Sequence, residues 1–420
     1  MYKIVVRGGN ELSGEVQISS AKNAVLPIIA ASVMNGGIVV LKNIPLLEDV
    51  FIMCEILESL GANIDFNTEI GELRIDSRNL KDVDPSDKLV QKLRASFVIM
   101  GAMLARFNRA KISFPGGCKI GSRPIDLHFK GFAALDSVVE KYHGYVEVKA
   151  KELKGSDIYL DSPSVGATQN IMMAATSAKG ETVIRNAAKE PEIVDLANFL
   201  NAMGADISGA GTETITIRGK KPCKNIEYTP IYDRIEAGTF IVAAAITKSK
   251  ITVKGAVEEH LKAVLAKLKE MGLKIDSIGE NKLIVDGRDT LIPVDIKTMP
   301  HPGFPTDMQA QFTALLSVVP GTSIITETVF ENRFMHVSEL VKMGANIKID
   351  GRSAVVQGVD KLTGANVVAT DLRAGAALIL AGLVAEGETT VNDVHHIDRG
   401  YMKIEEKFKK IGADIKRIDV

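Results

Sequence analysis

Tryptophan is absent from the 420 residues and aromatic side chains make up only 5% of them, so any core must be built from aliphatic residues. There are only three cysteines, Cys54, Cys118 and Cys223, which are far apart, odd in number and without metal-ligand spacing. That argues against a disulfide framework and fits a reducing compartment. Neither sign of charge is in excess: 51 basic residues face 52 acidic ones, for a net charge of −1. Nothing in that balance calls for nucleic acid or an anionic membrane. The longest apolar run, around residues 376–385, falls well short of the ~20 residues that a transmembrane helix needs. The start, M-Y-K-I-V-V-R-G-G, is charged too early for a signal peptide. A cytoplasmic protein without membrane insertion is expected. No G-x-x-x-x-G-K-[ST] occurs, and no G-x-G-x-x-G follows the first expected strand, which argues against a P-loop and a dinucleotide cofactor. The pair His395-His396 has no evident third ligand and its side chains point apart, so no metal site and no cofactor are expected.

What is present repeats. The pattern Leu60-Gly-Ala-Asn-Ile64 returns as Met203-Gly-Ala-Asp-Ile207, Met271-Gly-Leu-Lys-Ile275, Met343-Gly-Ala-Asn-Ile347 and Ile411-Gly-Ala-Asp-Ile415, with a weaker copy at His143-Gly-Tyr-Val146. Such spacing marks a repeated supersecondary unit. Each copy follows a segment with helical apolar spacing, such as residues 50–60 or 261–271. The glycine stands where a helix needs a left-handed residue just past its end. Two alternating strands follow, as at residues 62–66 and 72–76. The expected unit is therefore helix, glycine stop and β-hairpin, in two sets of three.

A chain of this length exceeds one compact core. The divide is expected near residues 219–233, where charge, two prolines and a lost period coincide. Alanine-rich stretches at 166–178 and 375–385 are apolar on nearly every face and should lie buried at the centre of each half, inside the sheets. The competing architecture is a single, non-repetitive doubly wound sheet.

The chemistry is expected in residues that break the repeat. Cys118 sits in the loop Phe114-Pro-Gly-Gly-Cys-Lys-Ile-Gly-Ser-Arg-Pro124, where Lys119 and Arg123 favour the thiolate and the glycines allow close approach to a ligand. On this segment alone, an idle cysteine in a surface turn fits equally well. Lys22, after Ser19-Ser-Ala, reads as the start of a helix that Ser20 can cap, a place where a lysine and helix N–H groups can hold an anion. Arg94 and Arg373 also stand at the starts of apolar helices, and Arg399 lies on a turn near the C-terminus. A cation at a helix start opposes the helix dipole and usually needs an anionic partner. Asp307, in His301-Pro-Gly-Phe-Pro-Thr-Asp307, reads either as a helix cap or as a fixed general base.

Taken together, the P-G-G-C-x-I-G-x-R-P-x-D-L-H loop around Cys118, the Lys22-Asn23 start, F-P-T-D ending at Asp307, D-L-R-A-G around Arg373, E-N-R-F-M-H ending at His336 and H-I-D-R-G-Y around Arg399 resemble the UDP-N-acetylglucosamine 1-carboxyvinyltransferases. These enolpyruvyl transferases open peptidoglycan synthesis, and the resemblance runs from residue 1 to about 418. It implies an α/β (α+β) fold, a two-domain inside-out α/β barrel, each domain made of three βαβαββ repeats around buried helices. The implied domains are residues 22–231, carrying the Cys118 loop, and residues 1–21 with 232–420, with the active site in the cleft between them.

The resemblance further implies transfer of the enolpyruvyl group of phosphoenolpyruvate to the 3′-hydroxyl of UDP-N-acetylglucosamine by addition and elimination, with release of phosphate. Cys118 would donate a proton to the enol ether or add to it, and Asp307 would take the hydroxyl proton. Lys22, Arg123 and Arg399 match groups that hold the donor's phosphate and carboxylate, with Arg94 a further anion contact and Arg373 in the same set. Asn23, Asp307 and Val329 match contacts to the sugar nucleotide. Arg123, Pro124, Ile125, Asp126 and Leu127, with Ser162, Pro163, Ser164 and Val165, match its uridine-diphosphate site. Two departures stand out: many members carry a basic residue at the position of Ser162, and some carry tryptophan at that of Val98. The nearest rival is the shikimate-pathway enolpyruvyl transferase, whose loop lacks the cysteine. A non-catalytic sugar-nucleotide binder would need neither Cys118 nor Asp307, and an RNA-terminal phosphate cyclase finds no support in the charge balance.

Overall fold

The computed structural model describes residues 2–114 and 125–419. These residues divide into two compact units, one of residues 20–114 and 125–231, the other of residues 2–19 and 232–419. Each unit holds three small sheets; across both units five sheets have four strands and one has three. A single doubly wound sheet does not occur among the described residues.

One repeat in the first unit shows how the pattern in the sequence becomes structure. Strand Asp157–Tyr159 leads into helix Val165–Ala175, then strand Glu181–Arg185, helix Pro191–Ala202 and the hairpin Asp206–Ser208 with Thr214–Arg218. The first two strands pair in parallel, since a helix separates them, and the hairpin completes the sheet antiparallel. Helix Val165–Ala175 is buried along almost its whole length, as are Arg234–Ile246 and Leu372–Gly382 in the second unit. Small residues on neighbouring helices of the first unit let them approach Val165–Ala175 closely. A Cβ on Gly101 would come within 2.4 Å of the Asn170 carbonyl oxygen, and one on Gly131 within 2.1 Å of Ile171. The helices that pack against these buried ones keep one polar face; in Glu258–Glu270 only Leu261, Val264, Leu265 and Leu268 are buried.

Gly61, Gly204, Gly272, Gly344 and Gly412 all take the left-handed conformation, with φ between 93° and 108°, just past a helix end. In the first of these, Gly61 N–H bonds the Glu58 carbonyl and Ala62 N–H the Leu57 carbonyl, which closes the last turn. The weaker copy, His143-Gly-Tyr-Val146, is not a helix stop. Gly144 forms the turn between Val138–Lys141 and Tyr145–Lys149, and the helix Asp126–Ala134 is ended by Asp136, at φ 66°. Aspartate is one of the few residues besides glycine that visits this region.

The chain does not finish one unit before starting the other. Strand Ser13–Gln17 pairs in parallel with Lys250–Lys254 of the second unit, while Ile226–Tyr228 pairs in parallel with Ile38–Leu41 of the first. Strand Tyr2–Arg7 lies between Glu388–Asn392 and Asp414–Asp419, antiparallel to both.

Candidate active site

In the second unit, the turn Thr306–Met308 carries Asp307 into helix Gln309–Leu316. Asp307 makes no helix cap. Its Oδ1 accepts from Arg333 Nη2 at 2.8 Å, and its Oδ2 from Arg373 Nη2 at 3.0 Å and Nε at 3.3 Å. Both arginine side chains are almost fully buried, at 3% and 2% exposure, whereas Asp307 is 27% exposed. Asp371 caps the helix that starts at Leu372, through the N–H groups of Arg373 and Ala374, and so sets Arg373 in its first turn. The cation at that helix start is answered by Asp307. Two guanidinium groups hold the carboxylate, one on each oxygen, which fixes its orientation in the turn.

Arg373 is stacked over the ring of Tyr401, 5.3 Å from its centroid. The Tyr401 hydroxyl lies 2.9 Å from Thr239 Oγ1 and accepts from Gln311 Nε2 at 3.3 Å. Arg399, two residues before Tyr401, is half-buried on the same turn. Val329 is tied to Asp307 by a residue that its sequence context did not single out. Glu327, 1% exposed, accepts from Val329 N–H at 2.8 Å, Phe330 N–H at 3.1 Å, Thr298 Oγ1 at 2.8 Å and Thr306 Oγ1 at 2.8 Å. The Asp307 turn and the Val329 turn therefore share one buried carboxylate. His336, from the same motif as Arg333, is buried, which pushes its pKa down to about 4 despite the nearby Asp371.

In the first unit, Lys22 opens helix Lys22–Ala31, and its Nζ lies 3.2 Å from Oδ2 of Asp49, which is itself 1% exposed. Ser20 does not cap this helix; its hydroxyl donates instead to the Pro230 carbonyl at 3.4 Å. Asn23 is exposed beside Lys22. Arg94 starts the turn Arg94–Val98, which packs against helix Lys22–Ala31 and leads into the buried helix Ile99–Phe107. Val98, where some relatives would have tryptophan, is buried in that turn.

Ile125, Asp126 and Leu127 begin helix Asp126–Ala134, and Ser164 caps helix Val165–Ala175 through Ala167 N–H. The starts of these two helices lie together, because His128 bonds Asn170 and its ring would sit 3.1 Å from a Cβ on Gly166. Asn170 Oδ1 accepts from Gly101 N–H, so its Nδ2 donates both to the Phe97 carbonyl and to His128 Nδ1. The proton of His128 is thereby placed on Nε2. Burial, reinforced by Arg94, pushes His128 down to about 4, so this imidazole is a neutral donor near the helix start. Ser162 and Pro163 are exposed, and Asp161 beside them pairs with Lys130 Nζ at 2.8 Å. A cation is thus present next to Ser162, delivered from another helix. Cys118, Lys119, Arg123 and Pro124 lie outside the described residues.

A family model described as EPSP synthase (3-phosphoshikimate 1-carboxyvinyltransferase) matches residues 6–408. UDP-N-acetylglucosamine 1-carboxyvinyltransferase 2 of Clostridium tetani is 60% identical over 418 residues, covering 100% of both chains. The chain belongs to the UDP-N-acetylglucosamine 1-carboxyvinyltransferase family. A second member of that family, carboxyvinyltransferase 1 of Clostridium acetobutylicum, is also 60% identical over 100% of both chains. Among solved structures, the enolpyruvyl transferase NikO from Streptomyces tendae aligns with a TM-score of 0.89 at 26% identity, over 100% of this chain and 99% of its own. An EPSP synthase from Acinetobacter baumannii shares the fold at a TM-score of 0.79, over 100% of both chains, but is only 17% identical. The shikimate-type enzyme is thus a relative in fold, while two carboxyvinyltransferases are 60% identical across the whole chain.

Proposed function

We propose that this protein transfers the enolpyruvyl group of phosphoenolpyruvate to the 3′-hydroxyl of UDP-N-acetylglucosamine, with release of phosphate, the first committed step of peptidoglycan synthesis. The observation that carries the reading is the 60% identity over the full length of carboxyvinyltransferases named for that acceptor. The geometry is consistent with it. Asp307 is fixed by Arg333 and Arg373 but keeps an exposed edge, as a group that receives a hydroxyl proton requires. Lys22, Arg94, Arg123, Arg373 and Arg399 supply the positive charge that a donor with phosphate and carboxylate groups needs.

In this reading Cys118 protonates C3 of the enol ether or adds to C2, while Asp307 takes the proton of the attacking hydroxyl. The resulting tetrahedral ketal then loses a proton from C3 and expels phosphate, which restores the double bond. Asn23 and Val329 contact the sugar, and Ile125–Leu127 with Ser162–Val165 hold the uridine diphosphate. The two helix starts there present N–H groups and the His128 Nε2–H, all suited to phosphate oxygens. Cytoplasmic work fits both substrates.

Mass analysis of the product tests the reaction: UDP-N-acetylglucosamine should gain one enolpyruvyl unit, and a product built on shikimate 3-phosphate would contradict the assignment. Cys118→Ala should abolish turnover and leave sugar-nucleotide affinity nearly unchanged. The epoxide fosfomycin should alkylate Cys118, and a full-activity Cys118→Ala enzyme would remove the thiol from the mechanism.

A further inference from the structure

The first unit carries a surface pocket that the reaction above does not use. It encloses about 410 Å³ and lies at the C-terminal ends of helices Ile99–Phe107 and Val165–Ala175. Arg106, Lys151, Lys179 and Lys221 line it, against a single carboxylate, Glu152. Arg94 and Ser164 stand before the opposite ends of these helices. Eleven residues of helix extend about 16 Å, so a ligand here stays clear of that site.

The protein as a whole is nearly neutral, so this concentration of cations is local. Glu152 is already paired with Lys179 at 2.6 Å. Among the described residues no carboxylate pairs with Arg106, Lys151 or Lys221. Arg106 is the informative member. Its guanidinium is half-buried and held in place by the Val33 carbonyl and by the Ser77 carbonyl, the latter at 2.7 Å. Burial lowers its pKa, with no negative group offsetting the effect. A guanidinium partly withdrawn from water without a counter-charge is costly, and an anion relieves that cost.

Helix-end carbonyls would repel an anion, but several here are occupied. Leu104 accepts from Asn108 N–H, Ala174 from Ser177 N–H and Ala175 from Ala178 N–H. Gly180 has nothing within 4 Å of where a Cβ would stand, which leaves its backbone open to a ligand. Cations supplied by separate chain segments around one pocket suit a ligand with separated charges.

We propose that this pocket binds a small ligand carrying two or more phosphoryl groups, gripped by Arg106, Lys151 and Lys221. The test is calorimetric titration of inorganic pyrophosphate into the full chain, its Lys22→Ala variant and the Lys151→Glu/Lys221→Glu double variant. Arg106 is left intact because its carbonyl contacts also hold the fold. A saturable one-to-one event is expected that survives Lys22→Ala and weakens at least tenfold in the double variant, whose turnover stays at the wild-type level. Pyrophosphate binding that is unchanged in the double variant, that disappears with Lys22→Ala, or that never saturates would overturn the proposal. Wild-type turnover measured alongside separates a failure of this site from a failure of the proposed reaction.

Discussion

Lys22 and Arg373 open helices, where their charge works against the helix dipole, and each is answered by a carboxylate from a distant part of the chain, Asp49 and Asp307. The expectation that a cation at a helix start needs an anion is met twice. Which anion it finds was not legible, because Asp49 lies 27 residues from Lys22 and Asp307 lies 66 from Arg373, and no periodicity links them. Glu327 was missed for the same reason: its value lies in four donors from three places. Glu327→Gln should keep the fold, since the Thr306 hydroxyl can accept where it now donates. It should cost about 1–2 kcal/mol in urea unfolding, the scale of a weakened buried hydrogen-bond set. It should also raise KM for UDP-N-acetylglucosamine more than for phosphoenolpyruvate; equal effects on both would detach Glu327 from the Val329 turn. His128 makes a pH prediction. Its folded pKa, about 4, lies below the ordinary 6.5, so its contribution to stability is full above pH 6.5 and is lost as pH falls toward 4. The size is at most about 3 kcal/mol. His336 acts in the same window, while Asp195, raised by burial to about 6, acts in the opposite sense, its contribution fading as pH rises through that value. His128→Gln should therefore reduce, without abolishing, the loss of urea stability between pH 7 and pH 4.5, and an unaltered loss would contradict the assignment.

At the level of elements, five glycines made the repeat readable, because a left-handed residue past a helix end is a local requirement with a local signature. The second repeat hid itself by placing Asp136 there, and the glycine that drew attention, Gly144, serves a hairpin turn instead. The contrast can be measured. Gly204→Ala should destabilise the protein by about 1–2 kcal/mol, since an L side chain must then adopt φ near 108°. Asp136→Gly should cost little or nothing: the strain it relieves offsets its exposed ion pair with Lys154, and such pairs are worth little. Thermal unfolding of the two variants decides; comparable losses would mean that Asp136 does not act as the helix stop.

For the whole molecule, helix burial and the unit of three sheets followed from composition and periodicity, since an all-apolar helix can only be an inner one. The completion of each unit's sheets by strands from distant parts of the chain did not follow. Ser13–Gln17 and Ile226–Tyr228 are short, ordinary strands whose partners lie far along the chain, and nothing local says which unit each completes. Activity was legible because it rests on motifs rather than on topology: the groups around Lys22, Arg94, Asp307, Arg373 and Arg399 are recognisable before any fold is known. In the proposed function these groups serve one reaction with one acceptor. Release of phosphate from phosphoenolpyruvate tests it most directly, followed with UDP-N-acetylglucosamine, with shikimate 3-phosphate and with no acceptor. Release is expected only with UDP-N-acetylglucosamine; release with shikimate 3-phosphate, or equally in the absence of any acceptor, would mean that these groups serve a different reaction.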